Sequence, residues 1–281
     1  MAYSNDIVLS VIIPTCNRND TLPRAIYSVL GQHISDIEVI IVNDTDIPIP
    51  DDILAIGQSN PVFFFTNPGK HGAANTRNYG VSLANGKYIT FLDDDDIYLP
   101  GRLDTMLLHM KQNKYIIISS GRFVECDNFK SIVLQENQIF GEFNFKKIQF
   151  GNDIDIGFMM RKDAFINLGG FDITLRALED WDFILRALKL GDGFKIHRFD
   201  YVVNRTEGAA RVSLGEAQGY LELLKKWQVE LVGDKNWIAF MISTSLRLNR
   251  KLTLKKSLFY FFKYRSFIPL KQYFSAKIKN A

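Results

Sequence analysis

The strongest constraint on the fold is a series of short apolar runs, each followed by polar residues and most of them separated by segments of helical spacing. Runs of this length, bounded by turn-forming residues, are predicted to be buried strands. Such alternation of strands and helices predicts an α/β domain with a mainly parallel sheet flanked by helices. The five predicted strands are residues 7–15, 37–42, 62–65, 88–92 and 115–119.

The predicted helices have recognisable ends. Apolar residues of 22–30 share one helical face, and either Asn19 or Asp20 is the expected N-cap. A helix over 73–84 is expected to end at Asn85-Gly86, a pair suited to a left-handed C-cap. Beyond residue 120 the pattern predicts loops to about 157, a helix over 180–190, and only helices from Leu214 onward.

Bulk composition is that of a globular protein with a core: 281 residues, 47% hydrophobic and 23% charged. The two cysteines, Cys16 and Cys126, are too few for a disulfide framework and fit a reducing compartment. No secretory signal and no membrane-spanning run is predicted, so we expect a cytoplasmic protein.

Charge is distributed unevenly along the chain. From Lys235 onward there are eleven Lys or Arg and no Asp or Glu, which leaves 23 basic and 31 acidic residues before it. Basic residues are interspersed with aromatic ones, as in Phe259–Arg265. This tail suits an anionic membrane surface, at the inner face of the cytoplasmic membrane. The alternative, that its aromatics pack on the protein, stays equally open, and nothing else supports a nucleic-acid partner.

Four consecutive carboxylates, Asp93–Asp96, follow the fourth predicted strand. Like charges so close together favour either protonation or a bound cation, and Mg²⁺ or Mn²⁺ prefers such oxygens. An acidic first turn of the next helix is the structural alternative. Because ligands bind beyond the carboxyl ends of parallel strands, Thr15–Arg18, Asn43-Asp44 and this cluster are expected to share one site.

Two further segments are candidates. Glu179-Asp180 opens the helix that carries Trp181, either as a general base or, on sequence grounds more simply, as an N-cap. Arg77 follows the Gly69–Gly72 loop, which either faces phosphates or is only a turn.

Together these segments resemble the family 2 glycosyltransferases with the GT-A fold, over roughly residues 7–210. The resemblance implies an α/β, Rossmann-like mixed sheet flanked by helices, with a helical C-terminal extension. It divides the chain into a GT-A domain over 1–212, with a nucleotide-sugar half at 1–100 and an acceptor half at 101–212, and a basic extension over 213–281. The matching motifs are Ser10–Arg18, Asp44, Ala74–Gly80, Gly86–Asp96, Gly169–Asp172 and Glu179–Asp182.

The resemblance also implies roles for residues. It implies an inverting, hexosyltransferase-type enzyme that moves a sugar from a nucleotide diphosphate sugar, usually a UDP-sugar, to a glycan or lipid-linked hydroxyl in cell-surface polysaccharide biosynthesis. Asp93 and Asp95 would bind Mn²⁺ or Mg²⁺ with Asp96 in support, and Asp180 would be the base, ahead of Glu179. The expected nucleotide-binding residues are Pro14, Thr15, Asn17, Arg18, Asp44, Arg77, Asp93 and Asp94, of which Asp94 is the most replaceable.

The sequence departs from the family pattern at two places. Cys16 stands where an aromatic residue often stacks on the base, and Asn204–Gly208 lacks the histidine that often completes the metal site. Arg205 is an alternative source of positive charge there, and His197 is expected in a strand. Two rival functions stay open: a nucleotide-sugar-binding scaffold without activity, and, less favoured for want of a Gly-rich first loop, a sugar-nucleotide pyrophosphorylase.

Overall fold

The computed structural model describes residues 7–32, 34–126, 130–205, 215–228, 230–231 and 233–279. Within these residues the chain forms two compact units. The first contains the described residues of 7–148, 152–172 and 183–205, and the second those of 149–151, 173–182 and 215–279. Neither unit is a continuous segment of the chain.

A ten-stranded mixed sheet forms the centre of the first unit. Its strands are β1 (Leu9–Thr15), β2 (Ile37–Asn43), β3 (Val62–Thr66), β4 (Tyr88–Phe91), β5 (Ile97–Tyr98), β6 (Ile117–Cys126), β7 (Ser131–Leu134), β8 (Gly141–Phe143), β9 (Met159–Arg161) and β10 (Gly193–Asn204). The order is β3-β2-β1-β4-β9-β6-β10-β5, with β7 beside β6 and β8 beside β10. The strands from β3 to β4 are parallel, as are β6 and β10, whereas β9 runs antiparallel between β4 and β6.

Helices cover both faces of this sheet. Leu9, Val11 and Ile13 of β1 belong to one buried cluster with apolar residues of α1 and α4, while Ile12 on the other face meets α3. The predicted mainly parallel mixed sheet flanked by helices is thus confirmed. The helices of the first unit are α1 (Leu22–Leu30), α2 (Asp51–Leu54), α3 (Ala73–Leu83), α4 (Arg102–Lys111), α5 (Phe145–Ile148) and α6 (Lys162–Asn167), and α7 (Glu179–Ala187) begins in the second unit and ends in the first.

The described part of the second unit is helical from residue 215 onward, as predicted. Trp181 and Trp237 are fully buried there, and the Trp237 indole donates a 3.0 Å hydrogen bond to the Gln149 carbonyl. Its helices after α7 are α8 (Glu216–Trp227), α9 (Lys235–Leu248), α10 (Leu254–Tyr264) and α11 (Ile268–Lys279).

Three local predictions were wrong. The N-cap of α1 is Thr21, not Asn19 or Asp20, and its side chain makes no capping hydrogen bond. The predicted left-handed C-cap of α3 at Asn85-Gly86 does not form, because Ala84, the residue after the helix, is extended. Gly86 instead permits close packing, since a Cβ there would lie 2.6 Å from the Ser10 nitrogen. The region 120–157 is not mainly loop, because β6 continues to Cys126 and β7 and β8 follow.

Candidate active site

The ends of β1, β2 and β4 bring the predicted binding residues of the first unit together. Pro14 and Thr15 pair in register with the last residues of β2, and the Asp44 amide donates a 2.8 Å hydrogen bond to the Thr15 carbonyl. On the other side of β1, β4 ends at Phe91, and only Leu92 separates it from the start of the acidic cluster at Asp93. Three neighbouring strands therefore deliver their polar residues to one edge of the sheet, as expected for a parallel sheet.

Asp44 organises the loop that leads into α3. One carboxylate oxygen accepts a 2.7 Å hydrogen bond from the Gly72 amide, and the other accepts a 2.8 Å bond from the Asn67 side chain. The His71 ring lies 3.3 Å from the latter oxygen. Sequence reasoning missed Asn67 and His71, although Asn67 directly follows β3 and therefore obeys the same strand-end rule.

Arg77 links α3 to the first residue of the acidic cluster. Its side chain is buried, and one guanidinium nitrogen lies 2.5 Å from a carboxylate oxygen of Asp93. The helix approaches the sheet closely because Gly80 carries no side chain where Ile12 and Val42 pack. Arg77 is thus held at the site by packing as well as by charge.

Arg18 bridges the two central acids. The same nitrogen lies 3.1 Å from Asp94 and 2.5 Å from Asp95. Asn17, just before it, adopts a positive φ of 56°, a backbone conformation that asparagine tolerates better than most residues. Arg24, missed by sequence reasoning, donates a 3.0 Å hydrogen bond to the backbone carbonyl of Asp95.

Asp96 has a structural environment unlike that of its neighbours. Its carboxylate is buried, accepts a hydrogen bond from the Tyr201 hydroxyl, and accepts a 2.8 Å bond from the Asn204 amide. It therefore ties the end of β4 to the end of β10. These contacts hold the backbone next to Asp93 and Asp95, and the role of Asp96 in supporting a metal stays a prediction.

Burial and the repulsion between neighbouring carboxylates raise the pKa values of Asp94, Asp95 and Asp96. Burial raises the pKa of Asp94 to about 6 despite the opposing charge of Arg18. Burial and then Asp93 raise the pKa of Asp95, again against Arg18. Burial, followed by Asp93 and Asp95, holds the pKa of Asp96 well above its ordinary value. The site consequently favours additional positive charge.

The fit of a metal ion rests on Asp93 and Asp95. Their carboxylate oxygens are hard donors that suit Mg²⁺ or Mn²⁺. Within the described ranges, however, no three His, Cys, Asp or Glu side chains are grouped so as to hold a metal. To hold a divalent cation, the two carboxylates would need further ligands, such as the oxygens of a bound diphosphate or water.

The stretch expected to complete the metal site is only partly described. Residues 206–208 lie outside the described residues. The Arg205 amide donates a 2.8 Å hydrogen bond to the Glu125 carbonyl, and its guanidinium lies 3.5 Å from Gln135. His197 lies in β10, as predicted, with its ring 4.3 Å from that of Phe140.

Glu179 and Asp180 lie in the first turn of α7, in the second unit. The helix begins at Glu179, so Asp180 is not its N-cap, and Asp180 instead accepts a 2.7 Å hydrogen bond from the Trp181 amide. Nearby, the buried Asp182 accepts hydrogen bonds from Lys226 at 2.8 Å and from the Trp227 indole at 2.9 Å. The start of α7 is therefore anchored to α8.

Known structures share this architecture. The chain superposes on the Staphylococcus aureus protein TarS, residues 1–349, solved in complex with UDP-GlcNAc, with a TM-score of 0.68. The match covers 89% of this chain and 77% of that one at 17% identity, so it concerns the fold alone. Together with the order of the strands, the match identifies the fold as GT-A.

The chain belongs to glycosyl transferase family 2, which residues 10–169 match. An uncharacterized glycosyltransferase of Haemophilus influenzae is 33% identical over 191 residues, and the match spans 65% of this chain but only 62% of that protein. The GalNAc(5)-diNAcBac-PP-undecaprenol β-1,3-glucosyltransferase of Campylobacter jejuni is 27% identical over 81% of this chain and 76% of its own length. Within the described ranges, no helix has the length and apolar character required to cross a bilayer.

Proposed function

We propose that this glycosyltransferase moves a hexose from a UDP-sugar to a hydroxyl of a lipid-linked glycan, with inversion, in cell-surface polysaccharide assembly. The observation that carries the proposal is the convergence of Asp44, Arg18, Arg77 and the acidic cluster at one edge of the sheet. The UDP-GlcNAc bound in the TarS structure and the lipid-linked substrate of the Campylobacter relative support the donor and acceptor classes. The free thiols of Cys16 and Cys126 are consistent with a cytoplasmic location.

The donor is proposed to lie across the strand ends. Pro14, Thr15 and Asn17 would line the base, and Asp44, held by the Gly72 amide, would accept hydrogen bonds from the ribose. Arg18 and Arg77 carry fixed positive charge that suits the phosphates of the donor. To bind them, either arginine would exchange its ion pair with the acidic cluster for one with phosphate. Asp93 and Asp95 would hold Mn²⁺ or Mg²⁺, which when bound neutralises charge on the diphosphate.

The proposed chemistry is a single displacement. The acceptor oxygen forms a bond to the anomeric carbon while the bond from that carbon to the diphosphate oxygen breaks, and UDP leaves. The acceptor proton passes to the Asp180 carboxylate, with Glu179 as the second candidate base. Anchoring of the α7 start through Asp182 would limit the motion of that carboxylate.

Release of UDP from a panel of UDP-sugars, with Mn²⁺ and a polyprenol-diphosphate-linked glycan, tests the proposal. We expect Asp95→Asn to abolish turnover and to weaken UDP binding. Asp180→Asn should lower kcat by roughly 10²–10⁴-fold and leave UDP binding intact, because a base acts on the acceptor. Asp163→Asn is the matched control, since its exposed carboxylate contacts its neighbours Arg161 and Ala164 and is not one of the proposed site residues.

The rival functions predict different outcomes. Tight UDP binding without turnover of any donor would favour the inactive scaffold. Formation of a nucleotide sugar from a sugar phosphate and a nucleoside triphosphate would favour the pyrophosphorylase, which family membership already disfavours. Full activity of Asp180→Asn would overturn the assignment of the base without affecting the donor site.

A further inference from the structure

The last two helices present apolar side chains to solvent. On α10, Leu254, Leu258, Phe259 and Phe262 follow helical spacing along one face, whereas Ser257 on the opposite face is buried. On and just before α11, Phe267, Phe274 and Ile278 recur at spacings of seven and four residues. The five most exposed of these side chains are Phe259 (58%), Phe262 (71%), Phe267 (72%), Phe274 (53%) and Ile278 (77%).

Positive charge lies on the same surfaces. Lys255 and Lys263 flank Phe259 and Phe262 on the exposed side of α10, and the Lys263 ammonium lies 5.8 Å from the centre of the Phe259 ring. On α11, Lys271 lies between Phe267 and Phe274 and is exposed. No Asp or Glu occurs anywhere from Lys235 to Ala281, so no carboxylate of this segment offsets the charge.

We propose that these faces of α10 and α11 dock on an anionic lipid bilayer, with the aromatic side chains in the interfacial region and the lysines at the headgroups. Apolar and aromatic side chains gain by leaving water, and basic side chains beside them gain from anionic lipid. A lipid-linked acceptor would be delivered at that surface. The binding itself does not depend on the proposed transfer reaction, because it requires neither donor nor acceptor.

The positive charge of this face favours an anionic bilayer over a second copy of the chain as its partner. A symmetric dimer places the same patch on both partners. Here that arrangement would bring lysines against lysines with no acidic residue of the patch to pair with them, which is unfavourable. An anionic surface satisfies the apolar and the basic side chains together.

Co-flotation of the full chain with vesicles tests the proposal. We expect binding to phosphatidylglycerol/phosphatidylcholine vesicles, weak binding to pure phosphatidylcholine, and a loss of binding as salt increases. Replacing Lys255, Lys263 and Lys271 by Gln should weaken binding by about 100-fold, at about fivefold per basic residue. The control replaces Lys87, Lys111 and Lys146, exposed lysines of the first unit, by Gln and should bind like the parent.

A fluorescent reporter identifies the surface that inserts. The three native tryptophans, Trp181, Trp227 and Trp237, are all buried, so an added indole at an exposed site can be distinguished. Phe262→Trp should shift its emission to the blue and be quenched by brominated lipid. Phe63→Trp, at a partly exposed position on β3, should show neither change.

Three results would overturn the proposal. The first is that the protein binds neutral and anionic vesicles equally, or binds neither. The second is that the two lysine variants lose binding equally. The third is that brominated lipid quenches Phe63→Trp but not Phe262→Trp. A concentration-dependent dimer that Phe262→Ala dissolves would assign the face to self-association instead. Each readout is obtained without donor or acceptor, so failure here is distinct from failure of the proposed transferase function.

Discussion

Arg18 is the residue on which the electrostatics of the acidic cluster depend most directly. It contacts two carboxylates at once, and one of them, Asp94, is almost fully buried. The sequence led us to expect Asp94 to be the most replaceable of the four acids, and that expectation is untested. Its burial and its ion pair point to a part in positioning Arg18 rather than in contacting substrate.

Removing the guanidinium should therefore destabilise the protein. Arg18→Met keeps the apolar stem but leaves Asp94 and Asp95 without this partner. We expect the free energy of unfolding to fall by roughly 1–3 kcal/mol at pH 7, the usual cost of leaving a buried polar group unpaired. Urea denaturation measures it. Arg161→Met, which breaks an exposed pair with Asp163, should change stability by less than about 1 kcal/mol, and an equal loss in both variants would contradict the argument.

Cys16 offers a pH-dependent probe of the same surroundings. Cys16 is exposed, yet partial desolvation raises the pKa of its thiol above the ordinary value, and Asp44 and Asp94 raise it further, against the lowering effect of Arg18. A raised pKa means that the reactive thiolate is scarce at neutral pH and increases as pH rises. In a Cys126→Ser background, the rate of iodoacetamide alkylation should increase about tenfold per pH unit from 7 to 9. A plateau below pH 8 would show that the thiol pKa is not raised.

At the scale of elements, the packing of α3 on the sheet decides where Arg77 lies. A Cβ at Gly80 would lie 2.5 Å from Ile12 and 3.2 Å from Val42, and both of these side chains are buried in strands. Any side chain at position 80 must therefore push the helix outward. Because Arg77 is one turn away on the same helix, such a shift would also lengthen its 2.5 Å contact with Asp93.

Gly80→Ala should then affect both stability and donor binding. We expect a loss of about 1–3 kcal/mol in unfolding free energy, typical of overpacking in a core, together with weaker UDP binding. Chemical denaturation and calorimetric titration measure the two effects. Gly191→Ala is the control, since its Cβ would be in ordinary contact at 3.7 Å from Ile116. If Gly80→Ala is destabilised but binds UDP with unchanged affinity, the position of α3 does not control donor binding, which contradicts the argument.

The strands that the sequence pattern could predict are those buried mainly through apolar side chains. β1, β2 and β4 are mostly apolar runs, and the polar residues that follow them identify the edge where the site lies. β6 was mostly missed because its second half is buried through polar pairs. Arg122, for example, contacts Asp153 and Asp155, residues some thirty positions away that no local pattern connects to it. Tyr201 at Asp96 was missed for the same reason, since its partner lies 105 residues earlier.

At the scale of the whole molecule, ligand binding should be visible as stability. A ligand that binds only the folded state raises the free energy of unfolding by RT ln(1 + [L]/Kd), which is about 2.7 kcal/mol at a hundredfold excess over Kd. We expect UDP with Mn²⁺ to raise the melting temperature, and EDTA to remove most of that increase. An increase unaffected by EDTA would indicate that the nucleotide binds without a metal, and it would contradict the proposed role of Asp93 and Asp95.

The domain assignment at this scale remains a prediction from the sequence. The acceptor half, the donor half and the extension were defined by their order along the chain. The compact units instead combine distant stretches, which composition and periodicity cannot reveal because they are local properties. Glu179 and Asp180 illustrate this, since their helix begins in one unit and ends in the other.

The discontinuity of the second unit has a consequence for synthesis on the ribosome. The Gln149 carbonyl accepts its hydrogen bond from the Trp237 indole, which lies 88 residues later in the chain. At common translation rates, synthesis of those residues takes roughly 4–18 s. Trp181 is likewise synthesised before Tyr220 and Phe240, the two residues whose rings pack on it in the folded protein. During that interval the nascent chain exposes a large indole beside the proposed catalytic base. Chains that stall before α9 would therefore be substrates for chaperones and proteases, even with every donor-site residue already made.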